Sequence, residues 1–188
     1  RKEAIYKRAI EKYPNDFRAY NNLGMMSYAA GDLNAAENYF KQAASKSANA
    51  AEVNTNLGLC ELCKGNVAQA ETYLSKSTGA NTANEALGNL YIKQGQYDRA
   101  VQAFGDTKTN SAALAQILAK DYNKAKTTLE GVKNPDAYTD YLMAIVGART
   151  NNADLVKSSM AKVGQKDASL KASAQNDREF AKYANEIQ

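Results

Sequence analysis

Y-N-N-L-G-M-M-S-Y-A-A-G-D-L-N-A-A-E-N-Y-F-K-Q-A, residues Tyr20 to Ala43, reads as two helices joined by a tight bend. Tyr20, Leu23, Gly24 and Ser27 recur at i, i+3, i+4 and i+7, which is one face of a 3.6-residue period. Gly31-Asp32 marks the bend, because glycine takes the left-handed conformation that ends a helix. Gly24 lies inside the first helix, where glycine costs about 1 kcal/mol relative to alanine. A second helix packed against the bare backbone explains that placement. The stretch is therefore one helical hairpin, with small residues where two helices approach and large ones where a seam must be filled.

The same features return downstream. Leu23-Gly24, Leu57-Gly58 and Leu87-Gly88 are each followed by a turn glycine at one fixed distance (Gly31, Gly65, Gly95), then an alanine (Ala36, Ala70, Ala100), then a large apolar residue (Phe40, Leu74, Phe104). Lys120-Asp121-Tyr122 with Ala125 and Leu129 is a degraded copy without the turn glycine, and its first helix is shortened to the neighbourhood of Asn110 to Ala119. A fifth hairpin runs from Ala137 to Thr150, turns at Asn151-Asn152 and continues from Leu155 to Val163. Lys2 to Tyr13 reads as the second helix of an earlier, truncated repeat. Asp167 to Ala174 and Asp177 to Ile187 read as two short helices, each opened by an aspartate N-cap. The expected organisation is a helical repeat array over 1–163 and capping helices over 164–188, which cover the last apolar face.

Composition agrees with an all-α class: 2 Pro, 11 Gly and abundant Ala, Lys, Gln and Glu, with few β-branched runs. The +4 net charge comes from 24 basic and 20 acidic residues dispersed along the chain, without the basic block of a nucleic-acid arm. There is no histidine, which removes the commonest general base and metal ligand and weighs against an enzyme. No apolar run reaches the ~20 residues of a membrane helix. The chain opens at Arg1 without Met, inside an expected helix, and so reads as a piece of a longer protein.

These residues resemble the tetratricopeptide repeat family, whose pattern is aromatic-x2-L-G-x2-Y, then A-x3-F, in about 34 residues. The matches are Tyr20-x2-Leu23-Gly24 with Ala36-x3-Phe40, Leu57-Gly58 with Ala70-x3-Leu74, and Leu87-Gly88-x2-Tyr91 with Ala100-x3-Phe104. Departures are Asn54 and Asn84 at the aromatic position and the shortened later intervals. The resemblance implies a right-handed superhelical solenoid of antiparallel helix hairpins, about five in number, whose concave groove is lined by the first helix of each hairpin and binds a protein or peptide segment. The stripe facing that groove is Arg18, Asn21, Met25 and Tyr28, then Glu52, Thr55, Leu59 and Leu62, then Thr82, Glu85, Asn89 and Ile92 with Lys93, then Tyr138, Tyr141, Ile145 and Arg149. Its mixture of apolar and amide groups suits a protein segment better than a phosphate backbone. Met25, Leu59, Leu62 and Ile145 equally fit plain packing on the next hairpin. The family's carboxylate clamp for chaperone tails maps onto Asn21, Met25, Asn56, Thr82 and Ala86, and only Asn56 fits, so that mode is not expected.

Other chemistry is set aside. Cys60-x-x-Cys63 lies mid-helix, away from the helix N-terminus where thiolates are stabilised, and two cysteines without histidine cannot complete a zinc site. A strained disulfide stays open for an oxidising compartment. Glu61 and Glu71 stand too singly for an acid/base pair. Tyr39, Tyr73, Tyr97 and Tyr122 read as packing residues with a wet hydroxyl. The expected function is a non-enzymatic scaffold or adaptor, without cofactor or metal, binding no nucleic acid and not inserted in a membrane. The alternatives are a regulatory or structural segment of a larger enzyme or transport-associated protein, and helical-repeat RNA binding, which the dispersed charge disfavours. Residue style leans toward a bacterial periplasm or cell envelope over the cytoplasm.

Overall fold

A computed structural model describes residues 1–77 and 80–188. Among the described residues every regular element is helical and no strand occurs. The chain divides into two compact units, Arg1–Leu87 and Gly88–Gln188.

The first unit holds α1 (Lys2–Lys12), α2 (Phe17–Ala29), α3 (Leu33–Lys46), α4 (Ala51–Lys64), α5 (Val67–Ser75) and the start of α6 (Asn81–Lys93). Its core gathers Tyr20, Ala36, Phe40, Ala43, Val53, Leu57 and Cys60. The mid-helix glycines explain why α2 meets α3 and α4 meets α5. A Cβ at Gly24 would lie 2.4 Å from the Phe40 ring, and one at Gly58 would lie 2.5 Å from Leu74 Cγ. Each second helix thus seats its large residue directly on the backbone of the first, at a distance no side chain could share.

The second unit holds the rest of α6, then α7 (Tyr97–Phe104), α8 (Asn110–Leu118), α9 (Tyr122–Glu130), α10 (Ala137–Arg149), α11 (Ala153–Lys166), α12 (Ala168–Ala174) and a 3-10 segment, Arg178–Ile187. The Gly88 backbone meets the Phe104 ring in the same way, at 2.4 Å from a would-be Cβ. In the degraded copy Ala113 stands at the glycine position, fully buried beside Ala125 and Leu129.

The turns are built alike. Gly31, Gly65 and Gly95 have φ of 83°, 82° and 73°, and Asn151 takes the same region at 55°. Lys120 replaces the glycine and still adopts φ 65°, a conformation that opposes its Cβ to the following carbonyl. Aspartates cap the next helices: Asp32 accepts from the Ala35 amide at 3.1 Å and Asp121 from that of Lys124 at 3.3 Å.

The chain end departs from expectation. Asp167 and Asp177 cap as foreseen, at 3.1 Å from the Leu170 amide and 2.9 Å from the Glu179 amide. The last element is nevertheless a kinked 3-10 segment with non-helical backbone at Phe180 and Tyr183. Phe180, Tyr183 and Ile187 still enter one core with Val156, Met160 and Val163, as their i, i+3, i+7 spacing would also allow in a regular helix.

Candidate partner-binding site

The expected groove residues fall into three groups. Met25 is half exposed, and Arg18, Asn89, Lys93, Tyr138 and Arg149 also reach solvent. Tyr28, Leu59, Leu62 and Tyr141 are partly buried. Asn21 and Thr55 are buried. The Thr55 hydroxyl donates to the Ala51 carbonyl at 2.8 Å, so it serves its own helix. Arg18 is occupied by Asp16, with a 2.6 Å bond from Nη2; that contact, strengthened by the Arg18 amide, holds the Asp16 carboxyl at about 2.

Within the first unit, Met25, Tyr28, Phe40, Asn56 and Leu59 line a cavity of about 230 Å³. Its walls are the thioether, two rings and an isobutyl group, and its one polar edge is the Asn56 amide. Asn56 Nδ2 donates to Asn21 Oδ1 at 2.9 Å, which fixes the orientation of both amides. Tyr28 is held by a 3.1 Å contact between its hydroxyl and Cys63 Sγ; that hydrogen bond and burial push the phenol up to about 12. A shallower depression of about 540 Å³ shares Met25 and Asn56 and adds the polar edges of Asn22, Asn81 and Thr82. Asn22 was missed from sequence. It lies four residues after Arg18 and three before Met25, so counting i+4 as well as i+3 neighbours along the stripe would have found it.

The last hairpin treats the same stripe differently. The Tyr141 hydroxyl donates to Asp177 Oδ2 at 2.5 Å, and its ring meets Phe180 edge-on with centroids 5.4 Å apart. Burial first, and then this bond to a carboxylate, raise the Tyr141 phenol. Arg149 grips the Glu179 carboxylate through Nε and Nη2, the latter at 3.1 Å, while Nη1 reaches the Tyr122 hydroxyl at 3.1 Å. Tyr141 and Arg149 therefore bind the chain's own C-terminal segment.

Neither cysteine is bonded to the other: Cys60 and Cys63 are both free, the first buried and the second exposed. Burial, then the charges of Glu37 and Glu61, push the Cys60 thiol up, which makes it inert packing. Glu61 does not stand singly. It is 2% exposed and lies against the Glu37 carboxyl of α3, which together with burial pushes it up. The pairing was unreadable from sequence because it crosses between two hairpins. Tyr39, Tyr73, Tyr97 and Tyr122 are partly buried, as expected of packing rings with wet hydroxyls. No helix among the described residues is long and apolar enough to cross a membrane.

Comparison with known proteins supports the repeat reading. Three family models described as tetratricopeptide repeat match residues 5–38, 27–86 and 84–108. None of the curated proteins compared matches the chain. Among solved structures, PilW, a widely conserved type IV pilus biogenesis factor, is similar at 20% identity and TM-score 0.63, over 95% of this chain and 87% of that one. YrrB, a TPR protein with an unusual peptide-binding site, is similar at 17% identity and TM-score 0.68, over 96% and 97%. Pseudomonas aeruginosa pilF is similar at 13% identity and TM-score 0.71, over 96% and 86%. Identities this low carry the fold alone. With tandem matches running from residue 5 to residue 108 and each glycine seated under the large residue of its partner helix, the chain belongs to the tetratricopeptide repeat family.

Proposed function

We propose that the protein is a non-enzymatic interaction scaffold that takes a partner's polypeptide segment on the α2–α4 face of its first unit. The observation that carries this reading is the apolar cavity between Met25, Tyr28, Phe40 and Leu59, edged by the Asn21–Asn56 amide pair. An apolar side chain of the partner fills the cavity, and the neighbouring amides pair with its backbone, a division of labour common in peptide recognition. Met25, half exposed at the rim, supplies an adaptable surface. Of the twelve groove positions expected from sequence, Met25, Tyr28 and Leu59 form the centre in this reading. Uncharged walls favour a protein segment over a nucleic acid. The likeness to a pilus biogenesis factor fits a scaffold that helps to build an assembly.

The test is to pan a random peptide library against the purified chain and to measure the selected peptides on wild type and on Met25→Asp/Leu59→Asp. A charge in the cavity is expected to weaken binding about tenfold or more, with the thermal melt unchanged. Selected peptides that bind the double variant equally well would move the site elsewhere.

A further inference from the structure

Glu61, on α4, is 2% exposed, deep in the seam between hairpins α2–α3 and α4–α5. A buried carboxylate needs a counter-charge or must keep its proton. Glu61 accepts from Asn66 Nδ2 at 2.7 Å and otherwise faces the Glu37 carboxyl of α3. Both direct lysine contacts go to Glu37: Lys64 Nζ at 2.8 Å and Lys41 Nζ at 3.0 Å. Of the other titratable groups on the packed helices, Cys60 on α4 is buried and feels both carboxylates, Lys64 on α4 also favours the charged form of Glu61, Tyr73 on α5 lies toward Lys41, and Tyr28 on α2 is bonded to Cys63. Two carboxyls in contact disfavour each other's charge, and the cost falls on the more deeply buried one, Glu61. Glu37, with two ammonium partners, is the one that more readily stays charged, which leaves Glu61 as the one to keep a proton.

We propose that Glu37 and Glu61 form a proton-held latch, which packs hairpin α4–α5 tightly on hairpin α2–α3 in mildly acidic solution and loosens as the shared proton leaves. The sign follows from the direction in which each group is displaced. Glu61 is raised, by burial first and then by Glu37, so the folded chain keeps a proton that the unfolded chain has lost. Stability therefore falls as pH climbs from the ordinary glutamate range through the Glu61 value. Glu37 is held down at about 2 by Glu61, Lys64 and Lys41, so its contribution is lost only toward strong acid. The two effects place the stability maximum in the ordinary glutamate range. The latch also bears on the cavity described above, because α4 carries Asn56 and Leu59 while α2 and α3 carry Met25, Tyr28 and Phe40.

Thermal unfolding of the whole chain is followed from about pH 5 to about pH 8 for wild type and Glu61→Gln. The wild-type midpoint is expected to drop by on the order of 2–4 °C for each unit by which Glu61 is raised, whereas that of Glu61→Gln, whose amide donates permanently to Glu37, stays level. Parallel curves for the two proteins would overturn the latch. Carbon-13 carboxyl NMR of the glutamate-labelled wild type tests it without any variant. Glu61 is expected to titrate above the ordinary range and Glu37 below it, and a Glu61 resonance moving within the ordinary range would overturn the proposal even if Glu61→Gln failed to fold.

Discussion

The first full hairpin, α2–α3, and the last, α10–α11, are built on one pattern and end in opposite states. In the first, Gly24 admits the Phe40 ring, and the outward stripe leaves Met25 half exposed beside a cavity. In the last, the equivalent stripe is already occupied: Tyr141 and Arg149 hold Asp177 and Glu179 of the chain's own end, and Phe180 is packed edge-on against Tyr141. A repeat therefore fixes how two helices lock, while its outer stripe is left open in one copy and covered by the chain itself in another. The acidic and aromatic character of the terminal segment fits the stripe that it covers, since Arg149 and Tyr141 supply the donors.

The largest effect expected on this comparison comes from the lock. Phe40→Ala removes a ring that is 1% exposed and is expected to destabilise the chain by about 3–5 kcal/mol in denaturant unfolding. Phe180→Ala is expected to lose a similar amount, since its ring is also 1% exposed. A loss below about 1 kcal/mol at Phe180 would show the end segment to be a loose strap and would break the comparison. Tyr141→Phe keeps the ring contact with Phe180 and deletes the bond to Asp177. The expected loss is about 1–2 kcal/mol, and it should vanish in a chain that already carries Asp177→Ala. The smallest effect has the opposite sign. Lys120→Gly relieves the left-handed backbone at φ 65° and is expected to stabilise by about 0.5–1 kcal/mol, whereas Gly31→Ala, at φ 83°, is expected to destabilise by about 1 kcal/mol.

What could be read from sequence was whatever repeats in step. Leu-Gly pairs, turn glycines and the alanine with its large apolar partner recur at fixed distances because each answers the same local demand. That is why the three locks and the hairpin order were legible, and why Asn151 could be assigned the turn role. Lys120 hid its left-handed turn because lysine carries no preference for it, and only the position relative to Gly95 pointed there. The core-facing residues Phe180, Tyr183 and Ile187 keep the helical i, i+3, i+7 spacing, so the sequence showed which side chains are buried but carried no sign of the kinks at Phe180 and Tyr183. The stripe residues lie on α2, α4, α6 and α10, but sequence could not say which of them the chain would cover for itself. Asp177 was legible as a cap but not as the partner of Tyr141, and nothing in the sequence joined Glu179 to Arg149. Glu61 was misread as isolated because its partner Glu37 belongs to another hairpin, and the contact arises only when hairpins stack.

The central claim, an open stripe on the first hairpins and a self-occupied one on the last, is tested most directly by adding a library-selected peptide to the isotope-labelled chain and following amide and methyl NMR shifts. Saturable shifts are expected at Met25, Tyr28, Asn56 and Leu59, with Tyr141, Arg149 and Phe180 unmoved. Shifts centred on Tyr141 and Arg149, with release of the segment from Asp177 to Ile187, would contradict the claim.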